Sequence, residues 1–200
     1  MKTTRILVAA ALIAATPLTL LPALAQPLQR AGENPAKQQA DGAAAPIYGI
    51  RAPQDYRDWT LISVARVGVP LNDMRAKLGN DVAINAYREG NLPFPDGTII
   101  ARLAWNQAAS EEDNALLRPL LERNLSPEAV QKLLSESFVA GPANNVQFMV
   151  KDSKKYAATG GWGFAQFTNG KPDGEAVHKT CFGCHAPAKD RDFVFTRYSP

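Results

Sequence analysis

Two cysteines and a histidine near the end of the chain have a spacing that supports one specific covalent chemistry. Cys181 and Cys184 are separated by two residues, and His185 follows the second cysteine directly. Two thiols at this spacing can add to the two vinyl groups of a haem, which places the adjacent imidazole beneath the iron. The motif therefore predicts one covalently bound haem c, attached through both cysteines, with His185 as the proximal iron ligand.

Three other uses of these residues are weaker. A structural zinc site normally needs four protein ligands, and the sequence has no cysteine or histidine beyond these two cysteines and the histidines 178 and 185. A thioredoxin-like dithiol would require a βαβ setting, which the surrounding sequence does not have. A disulfide between Cys181 and Cys184 would close a very small loop and stabilise the protein little.

The ligand on the other face of the iron decides between two kinds of haem protein. His178 lies on the proximal side, and on a helix shared with His185 it would be separated from it by roughly 10 Å of rise. Met74 and Met149 lie among apolar or strand-forming neighbours and are interpreted as core residues. The sequence therefore favours an open or water-bound iron, with an electron-transfer cytochrome carrying a methionine ligand as an alternative.

The N-terminal segment has the pattern of a secretory signal peptide. Lys2 and Arg5 precede an apolar run that continues to Leu24 and ends at a small residue, Ala25. Threonines and prolines interrupt the run, so a membrane anchor of about 20 apolar residues is the weaker interpretation. We therefore expect a signal peptide over residues 1–25 and a periplasmic protein, in a compartment where cysteines meet oxidising conditions.

The remainder of the chain has the size of one domain and a balanced charge. Without Lys2 and Arg5, the 22 basic residues fall to 20, against 19 acidic ones. That balance predicts no nucleic-acid partner. Residues 26–47 are rich in Ala, Gln, Gly and Pro and are predicted to be a disordered linker. We expect the folded domain over residues 48–200.

Short β-rich segments separated by helical ones predict an α+β fold. The candidate strands are Trp59–Val67, Thr98–Trp105, Val146–Val150, Gly163–Phe167 and Phe193–Tyr198, and the tight turns are Asp96-Gly97 and Asn169-Gly170. The candidate helices are Asp81–Glu89, capped by Asn80 and stopped by Gly90, and a segment from Ser126-Pro127 to about Ser135. We predict a mainly antiparallel sheet with flanking helices, a C-terminal haem-attachment helix, and a helical insertion over residues 110–137 that is broken near Pro119.

Several short segments, taken in order, are similar to one known family. They are Tyr56–Trp59, Asp96–Thr98, Val150–Ser153, Trp162–Phe167, Cys181–His185 and Asp192–Tyr198. Together they resemble the cytochrome P-460 family and its cytochrome c′-beta relatives. The resemblance implies a dimeric, mainly antiparallel β fold with a five-coordinate haem. It also implies either oxidation of hydroxylamine or binding of nitric oxide and carbon monoxide, with electrons exchanged with a redox partner protein in the first case.

One departure from the family bears on these two functions. The resemblance implies, for the hydroxylamine-oxidising members, a lysine shortly after the Asp-Gly-Thr turn that is cross-linked to the haem. Here that stretch reads Thr98 to Arg102, and no lysine occurs from Leu78 to Gln131. An arginine stays protonated near neutral pH and is a poor nucleophile. Hydroxylamine oxidation is therefore the alternative, and binding of nitric oxide or a related small ligand is the leading expectation.

Four further residues are candidates for the haem environment. Arg75 and Arg102 could each pair with a haem propionate through two parallel hydrogen bonds, although either could also be a surface arginine. Phe148 and Phe164 are candidates for the distal pocket, because aromatic rings supply much apolar area with few rotors. Both phenylalanines could equally be ordinary core residues.

Overall fold

The computed structural model describes residues 42–199, so the expected signal peptide and most of the expected linker lie outside the described residues. The described chain forms a six-stranded antiparallel sheet in which the strands follow chain order. The strands are β1 (Thr60–Val67), β2 (Asp73–Gly79), β3 (Ile99–Ala108), β4 (Val139–Lys151), β5 (Trp162–Thr168) and β6 (Lys171–Pro172).

Helices lie between and after these strands. They are α1 (Asp81–Glu89), α2 (Glu111–Leu121), α3 (Pro127–Ser135) and α4 (Glu175–His185), and a 3₁₀ segment over Ala186–Arg191 follows α4. The predicted α+β fold, with an antiparallel sheet and a C-terminal helix that contains the cysteine motif, is confirmed. Within residues 42–199, every helix is too short or too polar to span a bilayer.

Two helix boundaries follow from capping residues that the sequence displays. The Asn80 side chain accepts a hydrogen bond from the Ala83 amide at 3.0 Å, and Gly90 ends α1 with a φ of 69°. Ser126 caps α3, with Pro127 at the first helical position. Each of these residues satisfies backbone groups or supplies a backbone angle that helix ends require. The predicted limits of both helices are confirmed.

The sheet has an apolar core on each side. One core contains Ala101, Leu103, Phe148, Ala165 and Phe167. The other is built from residues that include Ile62, Ile84, Ile100, Trp162 and Phe164, together with Val194 of the C-terminal tail. Because side chains alternate along a strand, neighbouring residues such as Ala101 and Ile100 enter different cores. The second core borders α4, and it is therefore the one that positions the cysteine motif.

The helical insertion differs from its predicted form at one proline. Pro119 lies inside α2, which continues to Leu121, and the break between α2 and α3 falls at residues 122–126. The missing amide of Pro119 leaves the carbonyl of Ala115 without its helical donor. Ala115 is exposed, so water can supply that hydrogen bond. The prediction of a break near Pro119 is wrong for this reason.

Two other expectations are corrected. Residues 193–198 form no strand, since Asp192 and Phe193 have φ angles of 50° and 65° and the tail continues over the second core. Its one backbone hydrogen bond to a strand among the described residues runs from the Ser199 amide to the Ile62 carbonyl of β1 at 2.9 Å. The start of the folded part also lies earlier than Tyr48. Within the last six residues assigned to the linker, Ala45 is buried and its amide donates to the Ile50 carbonyl at 2.7 Å.

Candidate functional site

A cavity of about 590 Å³ lies against one face of the sheet and is closed on another side by α4 and the C-terminal tail. This volume falls within the range of about 300–1,000 Å³ that is usual for small-molecule and cofactor sites. Cys181, Cys184 and His185 all line it. The structure therefore brings the three residues of the predicted haem-attachment motif to one cavity.

The His185 ring is held by the main chain of the tail. Its Nδ1 lies 2.8 Å from the carbonyl oxygen of Phe193. A carbonyl can only accept, so Nδ1 donates the hydrogen and the lone pair of the neutral ring is on Nε2. Burial lowers the pKa of His185, although the bond to Phe193 opposes that effect. Burial thus favours the neutral imidazole, and the bond at Nδ1 leaves Nε2 as the nitrogen that can bind a metal, which is the usual arrangement of a histidine ligand.

The two thiols are free and differ in exposure. Cys184 is exposed, whereas Cys181 is partly buried, with its sulfur 3.6 Å from the carbonyl oxygen of Val177. Burial, and then the neighbouring Cys184, raise the pKa of the Cys181 thiol. A cysteine with a raised pKa is a weak nucleophile on its own. Cys181 is therefore less readily converted to its reactive thiolate than an ordinary cysteine.

His178 has a structural role. It is fully buried, its Nδ1 lies 3.0 Å from the Gly174 carbonyl, and its Nε2 accepts from the Gln166 amide at 3.0 Å. The bond from Gln166 connects the first turns of α4 to β5 and so helps to fix the position of His185 farther along the helix, while the bond to Gly174, the N-cap residue of α4, orients the ring. Because both ring nitrogens are occupied, His178 is not available as a second iron ligand.

An apolar row crosses the sheet beside His185. Ile100, Met149 and Phe164 are direct partners on β3, β4 and β5, and all three line the cavity. The centroid of the Phe164 ring lies 5.0 Å from that of His185. Met74 is on the opposite face of β2 from Arg75, since strand residues alternate. Met149 is therefore the methionine that borders the cavity.

The positions of the two candidate phenylalanines differ from the expectation that both line the distal pocket. Phe164 packs against the ring of His185, so it would lie on the proximal side of a haem bound by that histidine. Phe148 borders the cavity wall, but its ring packs against Tyr56 and Phe167 in the core on the other face of the sheet. Its assignment to the distal pocket is not supported by the position of its ring.

A polar row lies two residues farther along the same strands. It consists of Lys77, Arg102, Gln147 and Gln166, which are direct cross-strand partners on β2, β3, β4 and β5. All four line the cavity. Sequence reasoning identified only Arg102. The alternation of Asp73, Arg75 and Lys77 at every second position of β2 is a signal that could have revealed the others on that strand.

Both predicted arginines reach the cavity and share one carboxylate. Arg75 donates to both oxygens of Asp73 at 2.8 and 3.0 Å, and Arg102 donates to the second of them at 2.8 Å. Arg102 also donates to the side chains of Asn145 and Gln147 at 3.0 Å. Burial, and then the nearby Arg75, lower the pKa of Arg102 to about 10. The Arg102 guanidinium is thus charged at neutral pH.

The wall of the cavity has more positive than negative charge. Arg75, Lys77 and Arg102 face the single carboxylate of Asp73. Burial, and then Arg75 and Arg102, lower the pKa of Lys77. The Nε atom of Arg102 is buried and has no hydrogen-bond partner among the described residues. A buried donor without an acceptor is costly, so this wall is suited to an anionic group that completes it.

These features fit a covalently held haem. The thiols and the imidazole of α4 match its vinyl groups and iron, the apolar row matches the macrocycle, and the excess of two positive charges matches two propionates. Arg75 and Arg102 would hold the propionates in the predicted way, and the unpartnered Nε of Arg102 could donate a hydrogen bond to one of them.

Comparison with known proteins agrees with the sequence resemblance. No curated protein matches the chain. The family model described as Cytochrome P460 matches residues 53–196, which is well over half of the chain. The match includes the sheet, the cysteine motif and the tail up to Thr196, and membership of this family implies a haem cofactor. The chain belongs to the cytochrome P460 family.

Proposed function

We propose that this protein holds one haem c through Cys181 and Cys184 and binds nitric oxide or a related small ligand at its iron. The observation that carries the proposal is the contrast between the two histidines. His185 lies at the cavity with one nitrogen held and the other available, whereas both nitrogens of His178 are used inside the fold. When bound, the haem iron supplies a coordination position for a small ligand.

The protein's own residues would have three tasks in such binding. The Phe193 carbonyl holds Nδ1 of His185 and so fixes the direction of the ring. The apolar row of Ile100, Met149 and Phe164 keeps water away from that ring. The cations of β2 and β3 neutralise the propionates, which would otherwise bring uncompensated negative charge into a partly buried site.

Oxidation of hydroxylamine is a second candidate, and one observation favours it. Arg102 lacks the nucleophilic amine that the resemblance implies for this activity, but Lys77 is its direct cross-strand partner and lines the same cavity. The lowered pKa of Lys77 increases the fraction of neutral amine. A proteolytic peptide in which the Lys77 segment is joined to the Cys181 segment would support the enzyme, as would turnover of hydroxylamine with an electron acceptor.

A methionine-ligated electron carrier is the third candidate. In this case the methionine ligand would be Met149, since Met149 lines the cavity and Met74 faces away from it. Met149 packs against the core that contains Phe164 and Trp162, and this packing favours an apolar role over ligation.

We also propose that the protein is exported to the periplasm and acts as a dimer. The signal-like segment at residues 1–25 and the need to attach haem to free thiols support export. The family resemblance supports dimerisation. A helical insertion with exposed leucines, among them Leu116 and Leu120, offers an apolar surface for a second copy.

The proposed function is tested by absorption spectra of the purified haem protein in its oxidised, reduced and nitric oxide-treated forms. We expect a high-spin, five-coordinate ferrous form that shifts stoichiometrically on addition of nitric oxide. The Met149→Leu variant, which keeps the apolar volume, should give the same spectra. A low-spin ferrous spectrum in the wild type that becomes high-spin in Met149→Leu would overturn the proposal and establish the electron carrier.

A further inference from the structure

A buried ion pair outside the haem cavity connects the sheet to the C-terminal tail. The Lys151 ammonium lies 2.8 Å from both carboxylate oxygens of Asp192, and the two side chains are only 7% and 8% exposed. The Lys151 Nζ also donates to the Gly160 carbonyl at 3.1 Å. Neither side chain lines the cavity.

The pair stabilises an unusual turn. Asp192 and Phe193 have successive φ angles of 50° and 65°, a region that costs energy for residues with a side chain. Asp192 is held there by Lys151 and by the Phe94 amide, which donates to its carboxylate at 2.9 Å. The Phe193 ring packs so closely on Gly160 that a Cβ atom at that glycine would lie 2.1 Å from it. Asp192 and Phe193 are thus fixed by contacts on two sides.

The turn also positions the carbonyl group of Phe193, which holds the ring of His185. The Phe193 oxygen accepts the hydrogen of His185 Nδ1 at 2.8 Å, and Phe193 directly follows Asp192. We propose that Lys151 and Asp192 are positioning residues that set the hydrogen bond on His185, and through it the electron donation of the imidazole to the haem iron. The inference rests on the proposed role of His185 as the iron ligand.

The energetics of buried ion pairs are consistent with such a role. Removing two charges from water costs so much that a buried pair often stabilises a fold no better than apolar residues of similar volume. Its advantage is directional, because Asp192 accepts from Lys151 and Phe94 and can adopt only a narrow range of orientations. A residue that orients a metal ligand through its hydrogen-bond partner tunes the metal without contacting it.

The test compares two variants of the haem-loaded protein with the wild type. Asp192→Asn removes the charge but keeps an oxygen acceptor for Phe94 and tolerates the left-handed backbone. Lys151→Met breaks the pair from the other side and keeps the length of the side chain. Glu175→Gln is the matched control, because it breaks an exposed Lys179–Glu175 pair at 2.7 Å on the haem-attachment helix itself. The measurements are the iron–histidine stretching frequency of the ferrous protein and the midpoint potential.

We expect both pair variants, and not the control, to lower the stretching frequency and to raise the potential. A looser hydrogen bond makes the imidazole a weaker donor, which disfavours the ferric state. The expected change in the ferric-to-ferrous ratio at a fixed potential is about tenfold, by analogy with other losses of indirect metal contacts, or about 59 mV for a one-electron couple.

Two outcomes distinguish a failure of the positioning role from a failure of the proposed function. If either variant binds haem and has the frequency and potential of the wild type, the pair is only a stabilising contact and the positioning role is wrong. If the wild type itself has no iron–histidine band, the failure lies in the assignment of His185 and hence in the proposed function.

Discussion

The two faces of the sheet are built from the same strands, and two adjacent cross-strand rows, one on each face, have opposite compositions. On one face, Ala101, Phe148 and Ala165 are direct cross-strand partners, and all three are buried at 2% exposure or less. The adjacent residue on each of these strands points to the other face, where Arg102, Gln147 and Gln166 are direct cross-strand partners. The first row packs against protein, whereas the second lines a cavity.

This difference separates the residues that stabilise the fold from those that prepare a site. A row of charged and amide side chains on an inner face adds little to folding, since each polar group must recover its lost hydration. The polar row nevertheless lies beside a cavity whose other wall contains two thiols and an imidazole. We infer that the polar row stabilises the protein only when a haem is bound. Variants on the two faces and at the edge of the polar wall test this difference.

The largest effect is expected on the apolar face. Phe148→Ala should lower the free energy of unfolding by about 3–5 kcal/mol, because it leaves a cavity among rings that cannot close over it. Chemical denaturation measures this loss. Val64→Ala on β1, where the valine is 71% exposed, is the control and should cost less than about 1 kcal/mol. A comparable loss at both positions would show that Phe148 does not belong to a close-packed core.

A smaller and conditional effect is expected at Asp73. Asp73→Ala leaves Arg75 and Arg102 without their shared carboxylate, so the haem-free protein should lose about 2 kcal/mol, less than for a fully buried pair because both arginines are about one-fifth exposed. Haem-free protein is obtained in the Cys181→Ala/Cys184→Ala background. The loss should shrink in the haem-loaded protein, where propionates replace the carboxylate.

The control for Asp73 is an exposed pair. Glu122→Ala breaks the Arg118–Glu122 contact of 3.9 Å on α2 and should change stability by less than about 0.5 kcal/mol in either form. An equal loss for Asp73→Ala with and without haem would contradict the idea that Arg75 and Arg102 hold the propionates.

The smallest effect is expected at Lys77, and it depends on pH. Burial lowers the pKa of Lys77 in the folded protein, which means that the charged amine destabilises the folded state at neutral pH. Lys77→Met should therefore stabilise haem-free protein by about a few tenths of a kcal/mol. As the pH rises through the lowered pKa, the folded state releases the proton before the unfolded state does, and wild-type stability rises. The gap between the two proteins should therefore narrow toward alkaline pH. A constant gap in urea denaturation across that range would show that Lys77 is not desolvated.

The parts of the fold that the sequence predicted are those with local causes. Asn80, Gly90 and Ser126 act on backbone groups within a few residues of themselves, and the helices they bound have the predicted limits. Asp73–Gly79 was missed as a strand because its residues include no valine, isoleucine or aromatic side chain. Residues 193–198 have strand-forming side chains, but the left-handed turn at Asp192, fixed by the distant Lys151, directs them over the core.

The site was predicted in the same uneven way. Cys181, Cys184 and His185 are close in sequence and their chemistry depends on that spacing, so the motif alone was informative. Lys77 could not be linked to Arg102, because the register that pairs them is set by the whole sheet. The ring of Phe148 could not be assigned to a face, since a one-residue change of register reverses every side chain of a strand.

Covalent haem attachment is tested most directly by the mass of the proteolytic peptide that contains residues 181–185, taken from protein produced with a haem-attachment system. We predict a peptide that carries one haem on both Cys181 and Cys184, with no bond to the segments that contain Lys77 or Arg102. An unmodified peptide with two free thiols, or a wild-type protein that loses its haem to acidified acetone, would show that the haem is not attached to Cys181 and Cys184.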